Sequence, residues 1–105
     1  MTPLTRRQQL ESLLAEAPDD PELRYALAME DLSSGDLEGA VTRFRDLASG
    51  PSPHVPSFLM AAQTLVKLGR IAEAIELLRA GIVAAGQQGN VHAQGEMQGL
   101  LDSLE

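Results

Sequence analysis

Displaced by 34 residues, the chain falls onto itself. Gly35 meets Gly69, Ala40 meets Ala74, Val41 meets Ile75 and Phe44 meets Leu78. Leu27-Ala28 meets Ala61-Ala62, and Leu32 meets Val66. Such a period constrains a fold more than composition does. Each unit is one supersecondary element that cannot bury its apolar face alone, so the units must stack.

Within each unit the apolar residues recur every three or four positions. Leu37, Ala40, Val41, Phe44, Leu47 and Ala48 make one stripe, and Ile71, Ala74, Ile75, Leu78, Ile82 and Ala85 another. Leu10, Leu13, Leu14 and Ala17 make a shorter one near the start. No segment alternates with period two, so the pattern is helical throughout. Leu and Ala dominate, and the aromatics are only Tyr25, Phe44 and Phe58, a mix that favours helices over strands. Six helices are predicted, over roughly 5–17, 21–34, 37–49, 55–68, 71–86 and 90–104. Asp20 before Pro21, Asp36 and Asn90 are placed to cap helix starts, and Ser57 or Pro53-His54 opens the fourth helix. Gly86 suits a left-handed helix end. Links of a few residues make neighbouring helices antiparallel.

A helix–turn–helix unit of 34 residues resembles the tetratricopeptide repeat. Phe58, Ala61-Ala62, Leu65, Gly69, Ala74, Leu78 and Gly81 follow the pattern of that family well. Leu27-Ala28, Gly35-Asp36, Ala40 and Phe44 form a second copy, in which Arg24 and Asp31 stand at places that are large and apolar in the family. The resemblance implies an all-α fold in which antiparallel helix-turn-helix repeats stack as a short right-handed α-solenoid. One domain over 1–105 would hold an N-terminal half repeat at 5–17, repeats at 21–54 and 55–88, and a C-terminal capping helix at 90–104. Gly81 with Ala85, and Gly95 with Gly99, give small-x3-small spacings on the last two helices, read as close packing between those helices.

Charge and composition then narrow the function. The chain carries 15 acids and 8 Lys/Arg, a formal charge of −7. Neither half is basic, so nucleic acid and anionic membrane surfaces are disfavoured partners. No apolar run is long enough to span a bilayer, and no apolar stretch follows Arg6-Arg7, so a cytoplasmic address is expected. Cysteine is absent, which removes thiolate ligands and thiol nucleophiles. His54 and His92 lie far apart and lack the spacing of a helical metal pair. Glu30-Asp31 is the one carboxylate pair to weigh, but adjacent helical positions point about 100° apart, and a base such as Arg24, Arg43 or Arg45 is a simpler partner for Asp31. Gly86-Gln87-Gln88-Gly89-Asn90 is glycine-rich but follows no strand and precedes no lysine, so it is a loop between helices. No enzyme activity, cofactor or metal is expected.

By the resemblance, the first helix of each pair lines a concave groove. Tyr25, Met29, Leu32, Leu59, Met60, Gln63, Val66, Lys67 and Met97 would form its surface, with Ala93, Gln94 and Leu101 beside them. Methionine adapts to irregular partners, and this lining is mostly apolar. Tyr25, Met29 and Met60 stand where family members that grip an acidic C-terminus need polar groups. The expected function is therefore a non-enzymatic protein-interaction scaffold that takes an apolar peptide or amphipathic helix, with Gln63 and Lys67 fixing its orientation. The alternative is a homodimer or larger homo-oligomer using the same groove or the Gly95/Gly99 face.

Overall fold

The computed structural model describes residues 2–105, so Met1 of the expected unit lies outside it. Those residues form six α-helices and no strand: α1 (Arg6–Glu16), α2 (Pro21–Ser33), α3 (Leu37–Leu47), α4 (Val55–Lys67), α5 (Ile71–Gln87) and α6 (Val91–Leu104). Each helix packs on its neighbours in sequence, and α4 also meets α6. The result is an elongated array of 52 × 29 × 20 Å.

The helix starts follow from local chemistry. Asp20 accepts hydrogen bonds from the Glu22 and Leu23 amides, Asp36 from that of Gly39, and Asn90 from that of Ala93. These satisfy N–H groups that a first turn leaves free. Thr5 and Gln8 cap α1 reciprocally, a capping box absent from the expectations above. His54 stands at the cap of α4 without a side-chain capping bond.

The helix ends repeat one device. At α2 the Gly35 amide donates to Leu32 and the Asp36 amide to Asp31. At α4 the Gly69 amide donates to Val66 and the Arg70 amide to Leu65. At α5 the Gly89 amide donates to Gly86 and the Asn90 amide to Ala85. The three glycines have φ of 86°, 76° and 71°, a left-handed conformation that side chains resist. The left-handed end of α5 is therefore Gly89, and Gly86 lies inside the helix. The helix runs on until the first glycine that can close it in this way.

Ala28, Ala40, Phe44 and Ala61 form one core cluster, and a larger one is built on Val41, Phe58, Ala62, Leu65, Ala74, Leu78, Ala85 and Met97. Ala40 and Ala74 are wholly buried, where a bulkier residue would overpack. Gly81 lets α6 in. A methyl group there would lie 2.5 Å from Met97 Sδ and 2.7 Å from Phe58 Cβ. Gly95 and Gly99 do not share that role, since a methyl group on either would meet open space. The small-residue contact between the last two helices is thus carried by α5 alone.

The first helix is attached differently. Leu10 is its only buried residue, and Leu13, expected in its apolar stripe, is half exposed. Asp31 of α2 supplies the anchor. Its buried carboxylate accepts a hydrogen bond from Arg7 of α1 and another from Arg43 of α3, the latter at 2.7 Å. An acid at a place normally apolar thus replaces apolar docking by a two-armed ion pair.

Candidate functional site: an apolar cleft between the second, fourth and sixth helices

A cleft of about 250 Å³ opens where α2, α4 and α6 approach one another. Helix α2 contributes Tyr25. The first turns of α4 contribute Val55, Pro56, Leu59 and Met60. The start of α6 contributes Asn90, His92, Ala93, Glu96 and Met97. The lining is mainly apolar, with polar groups at the α6 side. Helical spacing explains the set: Pro56, Leu59 and Met60 stand three and four apart, as do Ala93, Glu96 and Met97, so each trio shares a face.

Tyr25 is held in place rather than free. Its ring lies 5.6 Å from Phe44, tilted by 59°, and 4.9 Å from the His54 ring, tilted by 53°. Such tilted pairs suit the ring quadrupoles. His54 is fixed in turn: its Nδ1 is 2.8 Å from the buried Ser57 hydroxyl and its Nε2 is 3.3 Å from Glu22 Oε1. Partial burial raises the Tyr25 phenol pKa, and the negative charge of Glu22 adds to that. On α6, His92 Nε2 lies 3.1 Å from Glu96.

Of the nine residues expected along the groove, the cleft gathers Tyr25, Leu59, Met60 and Met97. Met29 and Leu32 lie further along α2, and Gln63, Val66 and Lys67 further along α4, none of them in the lining. Met29, Gln63 and Lys67 are exposed, while Leu32 and Val66 are half-buried against the two core clusters. Met97 is 0% exposed, so it forms the wall of the cleft from within the core. Val55, Pro56, Asn90, His92 and Glu96 were not anticipated. Their signal in the sequence was their place in the first turns of α4 and α6, level with Tyr25 near the start of α2.

The other residues weighed for chemistry are committed elsewhere. Asp31 is consumed by Arg7 and Arg43, and Glu30 pairs with Arg6 at 3.7 Å. Of the three bases named for Asp31, Arg43 is the one it meets, while Arg45 goes to Glu73. Among the described residues no group of three or more His, Asp or Glu side chains is placed to hold a metal ion, and no helix is long and apolar enough to cross a membrane.

No protein-family profile matches the sequence, and no curated protein matches it. Solved structures do. The chain is similar to a tetratricopeptide repeat domain protein from Salinibacter ruber, both in its solution structure (28% identity, TM-score 0.78, covering 84% of this chain and 89% of that one) and in its crystal structure (27%, 0.75, 82% and 96%). A protein from Bordetella parapertussis shares the fold at 24% identity, with a TM-score of 0.79 over 97% of this chain and 89% of its own. Six helices, a glycine closure recurring after 34 residues and these likenesses make the chain a small tetratricopeptide-like helical repeat protein.

Proposed function

We propose that the protein is a non-enzymatic interaction module and that the cleft between α2, α4 and α6 seats an apolar side chain of a peptide or amphipathic helix. The fold suggests a protein-interaction role. The observation that carries the finer reading is the cleft itself, an apolar hollow framed by Tyr25, Leu59, Met60 and Met97 and open at the surface. Concave, mostly apolar sites with a few placed polar groups are the usual form of a binding surface. Met29, 36% exposed on α2, extends the apolar surface beyond the cleft.

A photo-crosslinking residue at Met60 should capture the partner in the native cell, and one at Val83, an exposed residue of α5 outside the cleft, should not. Changing Met29 and Met60 to Gln should remove capture while leaving the far-ultraviolet circular dichroism intact. Capture indifferent to both changes overturns the reading.

A second reading rests on α6. Val91, Gly95 and Gly99 are exposed and four residues apart, so they share one stripe, and both glycines face open space. A second copy of the chain could pack there. Gly99→Leu would then shift a dimer to monomer in light scattering; a monomer at every concentration removes this reading.

A further inference from the structure

The cleft has charge of one sign at its edges. Glu96 is part of the lining. Glu22 is outside the lining but acts on it: it precedes Tyr25 by one turn of α2, and its charge reaches the Tyr25 phenol. Their side chains are 49% and 78% exposed, and each lies beside a histidine, His92 for Glu96 and His54 for Glu22, rather than beside a Lys or Arg. Among the described residues no Lys or Arg lines the cleft. Six of the eight Lys/Arg side chains are held in ion pairs with other acids: Arg6 with Glu30, Arg7 and Arg43 with Asp31, Arg45 with Glu73, Arg70 with Glu38 and Glu73, and Arg79 with Glu105. Burial does most to raise the Tyr25 phenol, and the negative charge of Glu22 adds to it. The whole chain carries a formal charge of −7.

Size adds a second constraint. At about 250 Å³ the hollow falls below the ~300–1,000 Å³ of sites that enclose a complete small ligand. It has room for an anchoring side chain or two, with the remainder of the ligand lying outside along the rim. Glu96 lines that rim, and Glu22 stands one turn from Tyr25 on α2.

Resting on the reading of this cleft as the partner surface, we propose that its occupant is a cationic peptide segment. One apolar side chain seats against Tyr25, Leu59 and Met60, and Lys or Arg residues on either side of it pair with Glu22 and Glu96. Complementary charge of this kind speeds encounter and rejects wrong partners more than it adds affinity. An acidic tail would bring like charges together at both edges.

The chain contains one tyrosine and no tryptophan, so its tyrosine emission comes from Tyr25 in the cleft. The probes are two capped alanine-based peptides free of Tyr and Trp. Each has two central leucines, flanked in one peptide by arginines and in the other by glutamates. The arginine peptide should change Tyr25 emission saturably at low salt and bind more tightly than the glutamate peptide. High salt should shrink that preference. Glu22→Gln with Glu96→Gln should weaken the arginine peptide by about three- to tenfold, as expected for two exposed ion pairs. Met60→Gln, or Ala93→Gln should the first disturb folding, should weaken both peptides. Equal binding of the two peptides, both weakened by Met60→Gln, overturns the charge proposal and leaves the cleft reading standing. Tighter binding of the glutamate peptide overturns it outright. Binding of neither peptide, or a response indifferent to Met60→Gln and Ala93→Gln, overturns both.

Discussion

Gly81 and Asp31 are the two residues whose neighbours decide most. At Gly81 a methyl group collides with Met97 Sδ and the Phe58 side chain, both in the core. Gly81→Ala should therefore destabilise the protein by about 1–3 kcal/mol, the usual cost of overpacking. Gly95→Ala and Gly99→Ala meet nothing and should each stabilise by about 0.5–1 kcal/mol through helix propensity. Urea unfolding of the three variants checks the opposite signs. In the sequence the four small residues look alike, because spacing shows which residues share a face but not which neighbour that face meets. Asp31 shows the same limit. Its pairing with Arg43 was among the expected ones, since α3 follows α2 directly. Arg7, 24 positions earlier, was legible only once α1 was known to dock on α2. Asp31→Asn keeps the shape and loses the charge. The two arginines it releases are partly exposed and can turn to water, so the cost should be about 1–3 kcal/mol, below that of stranding a fully buried charge.

Helices differ in how they are held, and their stabilities should differ accordingly. The first helix buries Leu10 alone and leans on Arg7–Asp31 and Arg6–Glu30. Few buried apolar contacts mark a low-stability unit, so amide exchange in α1 should be faster than in α4 or α5. Asp31→Asn should speed it further while leaving α5 unchanged; uniform acceleration would show that α1 is no separate unit. The link between α3 and α5 is another charged one, where Arg70 binds Glu38 and Glu73, and Arg45 binds Glu73. Hydrogen bonds from Arg70, and then from Arg45, lower the Glu73 carboxyl from 4.5 to about 2. A carboxyl lowered by folding contributes stability above its unfolded value and loses it as pH falls toward the folded one. The stability difference between the protein and Glu73→Gln should thus be full above pH about 4.5 and vanish near pH 2, as measured by urea midpoints across that range. The helices themselves were almost fully legible, because capping and 3.6-residue periodicity are local. The end of α5 was set one residue early and its closing glycine three, since Gly86 and Gly89 compete and only backbone closure to Ala85 and Gly86 selects the second.

Shape is where local patterns stop being enough. The cleft needs α2, α4 and α6 at one surface, and which residues converge there depends on how far successive pairs rotate. A repeat fixes the lining helices but not the depth along them. That is why Tyr25, Leu59, Met60 and Met97 line the cleft while Gln63, Val66 and Lys67 fall outside it and His92 and Glu96 inside. Met97 entering the space beside Gly81 sets the last rotation: it draws α6 against α5 and leaves its first turns facing Tyr25 across open space. The array is then extended, with a Cα radius of gyration of 14.5 Å against about 13 Å for a compact domain of this length. A last helix folded over the hollow would bring the value toward the compact one and bury Tyr25. Small-angle scattering should therefore give the extended value, unchanged with concentration, and acrylamide should quench the half-buried Tyr25 through the open side of the cleft. Gly81→Ala, by pushing Met97 out of its place, should alter Tyr25 quenching from the far side of the cleft. If that substitution leaves Tyr25 untouched while destabilising the fold, the seat of Met97 governs stability alone and does not shape the cleft.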